Sequence, residues 1–332
     1  MKRHIFSCLD GHTCGNPVRL ILSGVPELAG RTMSEKRQDF LAHHDWIRTA
    51  LMFEPRGHDM MSGAVFLPPC SEDADASILF VETSGCLPMC GHGTIGAVTM
   101  ALENGVIHPA RREHVLLDAP AGRVRADIEW EGDKVAGVRI HNVPSYLAVA
   151  DLEVDCPELG RLKLDIAYGG NFYAIIEPQP GYEGIEALGV DRILNLSPKL
   201  RALLSSVELA HPEDPTVRGV SHIMWTDRPQ NPQADARNAV FYGERAIDRS
   251  PCGTGTSARM AQLAARGTLK PGDVFVHESI IGSLFHGRVD GVCKLGSLDA
   301  IHPSIRGWAR QTGINTIFVD QDDPFRHGFS VS

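Results

Sequence analysis

Two short stretches of this chain carry residues able to do chemistry, and they are near copies of each other. Cys90-Gly91-His92-Gly93-Thr94 is matched by Cys252-Gly253-Thr254-Gly255-Thr256, at an offset of 252 − 90 = 162 positions. At the same offset Gly105 falls on Gly267, Val98 on Met260 and Ala101 on Leu263. The register therefore holds through a following helical pattern to its closing glycine. A β-type run, Ile78-Leu79-Phe80-Val81, leads into the first copy. Each cysteine is thus expected where a glycine-rich turn becomes a helix N-terminus. The first amides of a helix have no intrahelical acceptor and the dipole there is positive. Such a place lowers a thiol's pKa and can hold an anion such as a carboxylate.

Two cysteines so placed suit proton transfer at a carbon stereocentre. Inversion needs a base on one face and an acid on the other, which a thiolate and a thiol supply, with the roles exchanged for the reverse direction. Other chemistries fit less of the pattern. Gly91-His92-Gly93-Thr94-Ile95-Gly96 matches the G-x-G-x-x-G dinucleotide fingerprint, and Asp118 and Glu278 stand roughly 20 positions beyond each copy. That fingerprint gives no reason for the cysteines, and Gly85 and Pro88 separate the strand from the first glycine. Cys86, Cys90 and His92 are spaced as zinc ligands, but no second ligand pair at zinc-like spacing follows. Nucleophilic attack by Cys90 with a histidine partner would leave the repeat unexplained. Cys8, Cys70, Cys156 and Cys293 read as structural, since cysteine is often simply buried.

The surrounding elements must deliver these motifs. His4 to Phe6 and Val18 to Leu22 read as strands around the turn Asp10 to Pro17, where His12 is either a turn residue or a residue at the mouth of a site. Ser34 reads as the cap of a helix running through Phe40 and Trp46 to Leu51. Asp165 to Ala174 opens a second half and plays the part of the Asp10 turn. Strands before Cys252 include Val220 to Trp225, which carries His222, and Ala239 to Tyr242. The expected organisation is an N-terminal half, 1–125, holding Cys90, and a C-terminal half, 126–311, holding Cys252. A tail of about 312–332 is free to return to the first half.

Composition agrees with a soluble globular chain of about two domains: 332 residues, 43% hydrophobic and 22% charged. The formal net charge of −9 gives no basic footprint, so nucleic-acid binding has no support. No apolar run reaches the roughly 18 residues that a membrane span needs. The beginning, Met1 to Phe6, goes directly into strand-like sequence without the apolar core of a signal peptide. Eight irregularly spaced cysteines in a chain this long point to a reducing, cytoplasmic setting.

With these residues in view, the chain resembles the proline racemase family. Met89-Cys90-Gly91-His92 and Asp248-Arg249-Ser250-Pro251-Cys252-Gly253-Thr254-Gly255-Thr256 are similar to its two signature motifs. Asp10-Gly11-His12-Thr13 with Gly15, Pro17 and Arg19 resembles its N-terminal signature, and Gly169 to Ala174, Glu278 to Ser283 and Asp323-Pro324-Phe325 extend the likeness over nearly the whole chain. The resemblance implies a diaminopimelate-epimerase-like α/β fold: two pseudo-symmetric domains, each a curved sheet around a central helix, with the site in the cleft between them. It implies proton transfer at the α-carbon of a proline-type amino acid without cofactor or metal. Cys90 and Cys252 are the implied acid/base pair, His92 and Asp248 the polar neighbours of thiols and substrate amine, and Gly91, His92, Gly253 and Thr254 the positions whose backbone holds the carboxylate. Cys252 stands where family members dehydrating trans-3-hydroxyproline have threonine, which argues against that activity. Gly93-Thr94-Ile95-Gly96 is more similar to the 4-hydroxyproline 2-epimerases than to the proline racemases, the alternative reading. His222 is the candidate for contacting the ring substituent. A non-catalytic amino-acid binder is the remaining class, and it would exchange no α-proton. The partner expected is a small molecule, with no nucleic acid and no membrane; a homodimer is one assembly compatible with the sequence.

Overall fold

The computed structural model describes residues 3–331; Met1, Lys2 and Ser332, and with them the outer ends of the expected domain ranges, lie outside the described residues. The chain divides into two compact units, one running to Ile140 and resuming at Gly307, the other His141–Arg306.

In the first unit, β1 (Arg3–Thr13) turns at Cys14 and Gly15 into β2 (Asn16–Ser23), its antiparallel partner. Two helices follow, α1 (Met33–His43) and α2 (Asp45–Met52). The cap of α1 is Thr32, not Ser34. Thr32 Oγ1 accepts the Glu35 amide while Glu35 Oε2 accepts the Thr32 amide, a reciprocal capping box. The single helix expected to Leu51 breaks at His44. Ile47, Ala50 and Leu51 of α2 are fully buried at helical spacing. They join Phe6, Phe40, Leu79 and Val81 in one apolar cluster, and each large side chain so buried contributes about 1.5–3 kcal/mol.

The rest of this unit is β3 (Ser62–Leu67), β4 (Ala76–Glu82), β5 (Gly85–Leu87), α3 (Gly91–Glu103), β6 (His114–Ala119), β7 (Gly122–Glu131) and β8 (Lys134–His141). β2 runs parallel to β3, β3 antiparallel to β4, and β4 parallel to β6, which pairs antiparallel with β7. The expected boundary near 125 is replaced by one at Ile140. Strand β7 continues to Glu131, and Glu103 of α3 accepts the Val135 amide of β8 at 3.0 Å.

The second unit repeats the pattern. It comprises β9 (Tyr146–Cys156), β10 (Gly160–Tyr168), β11 (Phe172–Ile176), α4 (Ile185–Leu188), α5 (Val190–Leu203), β12 (His222–Asp227), β13 (Ala236–Tyr242), β14 (Ala246–Ile247), α6 (Gly253–Ala265), β15 (Val274–Glu278), β16 (Leu284–Leu295) and β17 (Leu298–Gly307). β11 runs parallel to β12, β12 antiparallel to β13, and β13 parallel to β15, just as β2, β3, β4 and β6 do. The last strand, β18 (Ala309–Asp320), pairs with β1 in the first unit. Each sheet wraps one helix: α3 packs on β1, β2, β3 and β18, and α6 on β9, β10, β11 and β16. Both helices have 13 residues and are buried from the first turn. Among the described residues, no helix is long and apolar enough to cross a membrane.

Candidate active site

Cys90 is the N-cap of α3. Strand β4 and the short β5 fold back on each other and hand the chain to the cap. The Cys90 thiol sits over the first turn, where its sulfur accepts the Gly93 amide at 3.2 Å. It also donates to Glu82 Oε1 at 2.9 Å and lies 3.6 Å from His92 Nδ1. Glu82, His92 and Cys90 are all buried. The His92 ring is held at Nε2 by Asn16 Nδ2 at 3.0 Å, and the His92 carbonyl accepts the Thr13 hydroxyl at 2.8 Å. Thus the β1–β2 turn fixes the imidazole next to the thiol. The amides of Gly91 and His92 precede the first intrahelical bond, Thr94 N–H to the Cys90 carbonyl.

Cys252 is the N-cap of α6 in the same way, with Thr256 N–H bonded to its carbonyl at 2.7 Å. Its backbone differs: φ is 62° and ψ 106°, a conformation that costs a non-glycine residue on the order of 1–3 kcal/mol. Three contacts hold it there. Ser250 Oγ accepts the Cys252 amide at 3.2 Å, and the Pro251 carbonyl accepts both Asn238 Nδ2 at 2.7 Å and the Thr256 hydroxyl at 3.1 Å. The sulfur lies 3.3 Å from the Tyr173 hydroxyl, which is 2.6 Å from Thr254 Oγ1. Asn171 Nδ2 reaches the same Thr254 oxygen. Burial, and then the charge of Asp248, push the Cys252 thiol well above its ordinary value. The lowering expected at a helix N-terminus is therefore outweighed here by desolvation.

The glycine two residues into each helix has a steric reason. A Cβ on Gly93 would stand 2.8 Å from Cys90 Sγ, and one on Gly255 would stand 3.0 Å from Cys252 Sγ and 2.7 Å from Met224 Cε. At Gly93 an added Cβ forces the sulfur to shift, and at Gly255 it presses on the sulfur and on the Met224 tip, so glycine leaves each thiol room to fold back over its own first turn.

Of the residues picked out in the sequence, Cys90, Gly91 and His92 come together in the first unit, and Cys252, Gly253, Thr254 and Asp248 in the second. Asp248 Oδ1 accepts both the amide and the hydroxyl of Ser250 at 2.8 Å, so it shapes the turn leading into Cys252. His222 is the neighbour of Tyr173 across the parallel β11–β12 pair, and their rings stack at 4.6 Å. Ser221 Oγ holds its Nδ1 at 2.7 Å. His12 lies near the end of β1, paired with Pro17 and Arg310, and not in the turn itself: its Nδ1 accepts the Gly15 amide, and its ring lies edge-on to Trp308. Asp118 and Glu278 hold loops. Asp118 Oδ2 accepts the amides of Cys70 and Ser71, and Glu278 Oε2 those of Gln230 and Asn231. This is not how an acidic residue meets a ribose, and it removes that support for a dinucleotide site.

Sequence reasoning missed Glu82, Asn16, Asn171 and the part played by Tyr173. A signal for Glu82 was available, as the charged end of an otherwise apolar strand. The zinc grouping also changes. Cys86 packs in the apolar cluster, where burial raises its thiol to about 12. Glu82, Cys90 and His92 instead offer ligand atoms within 4.8 Å of one another, a donor set that suits zinc.

A family profile described as proline racemase matches residues 8–330. The chain belongs to the proline racemase family. Within it, a 4-hydroxyproline epimerase of Brucella suis is 60% identical over 333 residues, covering all of both chains. A solved structure of a hydroxyproline epimerase from Agrobacterium vitis, with bound trans-4-hydroxy-L-proline, superposes with a TM-score of 0.92 at 29% identity. It covers 100% of this chain and 96% of that one. A phenazine biosynthesis protein of the PhzF family from Bacillus anthracis shares the fold, with a TM-score of 0.61 at 15% identity, covering 96% of this chain and 99% of that one. The expected α/β architecture, large sheets with few helices, is thus the architecture of this family member.

Proposed function

We propose that this protein is a 4-hydroxyproline 2-epimerase, converting trans-4-hydroxy-L-proline to cis-4-hydroxy-D-proline without a cofactor. The observation that carries the reading is the full-length 60% identity to the Brucella suis 4-hydroxyproline epimerase, in a chain that caps two matching helices with cysteine. In the forward direction one thiolate removes the α-hydrogen. The other thiol gives its proton to the opposite face, and the reverse reaction exchanges the roles. Helix-start amides at Gly91, His92, Gly253 and Thr254 hold the substrate carboxylate, which favours the charge that develops as the hydrogen leaves. Tyr173 lies beside the second thiol and His222 stacks on Tyr173; His222 is the proposed partner of the ring hydroxyl. The irregular cysteine spacing supports a cytoplasmic site of action.

Polarimetry in deuterated water tests this, with trans-4-hydroxy-L-proline, L-proline and trans-3-hydroxy-L-proline side by side. The expected result is epimerisation of the 4-hydroxy substrate with one deuterium at the α-carbon, abolished by Cys90→Ser and by Cys252→Ser. Near-full turnover in either variant defeats the two-thiol mechanism. Binding without α-exchange would leave a non-catalytic binder.

A further inference from the structure

The two units match beyond their cysteines. In the first, Asn16 stands two residues before Val18, which pairs with Ser62 of β3. In the second, Asn171 stands two residues before Tyr173, which pairs with His222 of β12. Both asparagines are buried, and each reaches the second residue after its cysteine. Asn16 Nδ2 lies 3.0 Å from His92 Nε2, and Asn171 Nδ2 donates to Thr254 Oγ1 at 3.4 Å. Then the match breaks. The His92 ring carries the first connection on to the thiol, with Nδ1 3.6 Å from Cys90 Sγ. Threonine has no ring to do the same. The tyrosine standing where the first unit has Val18 closes the gap: its hydroxyl is 2.6 Å from Thr254 Oγ1 and 3.3 Å from Cys252 Sγ. We propose that Tyr173 is a positioning residue for Cys252. With Thr254 it links asparagine to sulfur, as His92 does alone at the first thiol, and it holds the sulfur by donating its hydroxyl hydrogen to it.

The direction of that bond follows from the hydrogens present. Tyr173 and Thr254 have one hydroxyl hydrogen each, and the amide of Asn171 brings another to the Thr254 oxygen. The order Asn171 to Thr254, Thr254 to Tyr173, Tyr173 to Cys252 gives every one of them an acceptor and ends on the sulfur. Tyr173 is fully buried, where a hydroxyl without an acceptor is costly. Burial, and then the charge of Cys252, push its phenol well above the ordinary value, so it stays a donor.

When Cys252 acts as base, the α C–H bond breaks, an S–H bond forms, and the electron pair of the C–H bond stays on the substrate. When it acts as acid, the S–H bond breaks, a C–H bond forms, and the sulfur keeps the pair as thiolate. Tyr173 keeps its own hydrogen in both. Its bond is strongest when the sulfur is charged, since a hydrogen bond to an ionised acceptor is about twice as strong as a neutral one. It therefore fixes the thiolate in the place from which the α-hydrogen is taken. This effect on turnover rests on the proposed epimerase function; the bond to the sulfur does not.

Tyr173→Phe tests the proposal, because it removes one oxygen and keeps the ring that stacks on His222. The kcat for trans-4-hydroxy-L-proline should fall about tenfold or more, with KM within about twofold of the unsubstituted value. A general disturbance of the site would raise KM as well. An unchanged kcat overturns the proposal, and so does a rise in KM that matches the loss in kcat. A second measurement leaves Tyr173 in place. With carbon-13 at the hydroxyl-bearing ring carbon of the five tyrosines, Cys252→Ala, which removes the acceptor, should move one resonance of the full chain. Five unmoved resonances overturn the proposal whatever the fate of the phenylalanine variant. Absence of turnover in the unsubstituted chain would be a failure of the epimerase function, read by polarimetry, and the resonance measurement does not depend on it.

Discussion

At the scale of single residues, both candidate centres depend on a thiol folded back over a helix start. Adding one methyl group at Gly93 puts a carbon 2.8 Å from Cys90 Sγ, so the sulfur must move. Gly93→Ala is expected to keep its far-UV circular dichroism and lose about 10²-fold in kcat, the scale of a roughly 1 Å misplacement. Gly255→Ala should behave alike. A second residue-level expectation concerns selectivity. Sites that hydrogen-bond a substrate hydroxyl penalise the analogue lacking it, because their polar groups are left without partners. The kcat/KM for trans-4-hydroxy-L-proline should therefore exceed that for L-proline, and His222→Ala should erase the difference, a change of about 1–3 kcal/mol. Equal values in the unsubstituted protein would point instead to a proline racemase. The cysteines and their glycines were legible because they are contiguous and repeated. Glu82, Asn16 and Tyr173 were not, because the sheet pairings and turns that bring them to the sulfurs leave no spacing pattern in the chain.

At the scale of elements, the strained start of α6 is held from behind by β13 and β15. His277 on β15 is fully buried. Its Nδ1 lies 2.9 Å from Thr256 Oγ1 and 3.0 Å from Asn238 Nδ2, the two groups that grip the Pro251 carbonyl. Burial, with a smaller contribution from Arg259, lowers its pKa to about 3. The folded chain thus keeps this imidazole neutral where the unfolded chain binds a proton near pH 6.5. The resulting stability is complete above about pH 6.5 and is lost as pH falls towards 3, at up to ~1.4 kcal/mol per pH unit. Melting temperatures measured from pH 7 down to pH 4.5 should fall more steeply for the native sequence than for His277→Gln, so that the two curves converge. Parallel curves would mean that this histidine titrates normally. The sequence pattern marked the cysteine-capped helices α3 and α6 and strands such as β4 and β13, but missed α4 and misjudged the α1 start and the break at His44. A capping box is readable as Thr32-x-x-Glu35, whereas Ser34 competes for the same role by proximity. The break lies at His44, whose φ of −130° and ψ of 6° leave the helical region, and hydrophobic spacing does not report it.

At the scale of the whole molecule, the repeat of one strand and helix plan explains why so much of the architecture was legible: the same signals occur twice and support each other. The division at Ile140 was less legible, because the hydrophobic alternation runs on through β7 and β8 without a change of composition. No cofactor is required by the proposed chemistry, which makes a further expectation. Dialysis against a strong chelator should leave turnover intact, and the protein should show no absorbance beyond that of its aromatic residues. Loss of activity that zinc restores would instead assign a catalytic metal to Glu82, Cys90 and His92.

The strands repeat at 160 positions, as Ser62 and His222 do, while the cysteine-capped helices repeat at 162. Two additional residues therefore lie between β13 and Cys252, in the segment that holds Asp248 and Ser250. A chain of this kind cannot have its two halves made alike by point substitution alone, since substitution does not remove the two extra residues ahead of Cys252. Mutational drift can exchange side chains between the two centres, but only an insertion or deletion can exchange their backbones. The difference between the two cysteine-capped helix starts is thus inherited as a difference in length, which makes it the more durable.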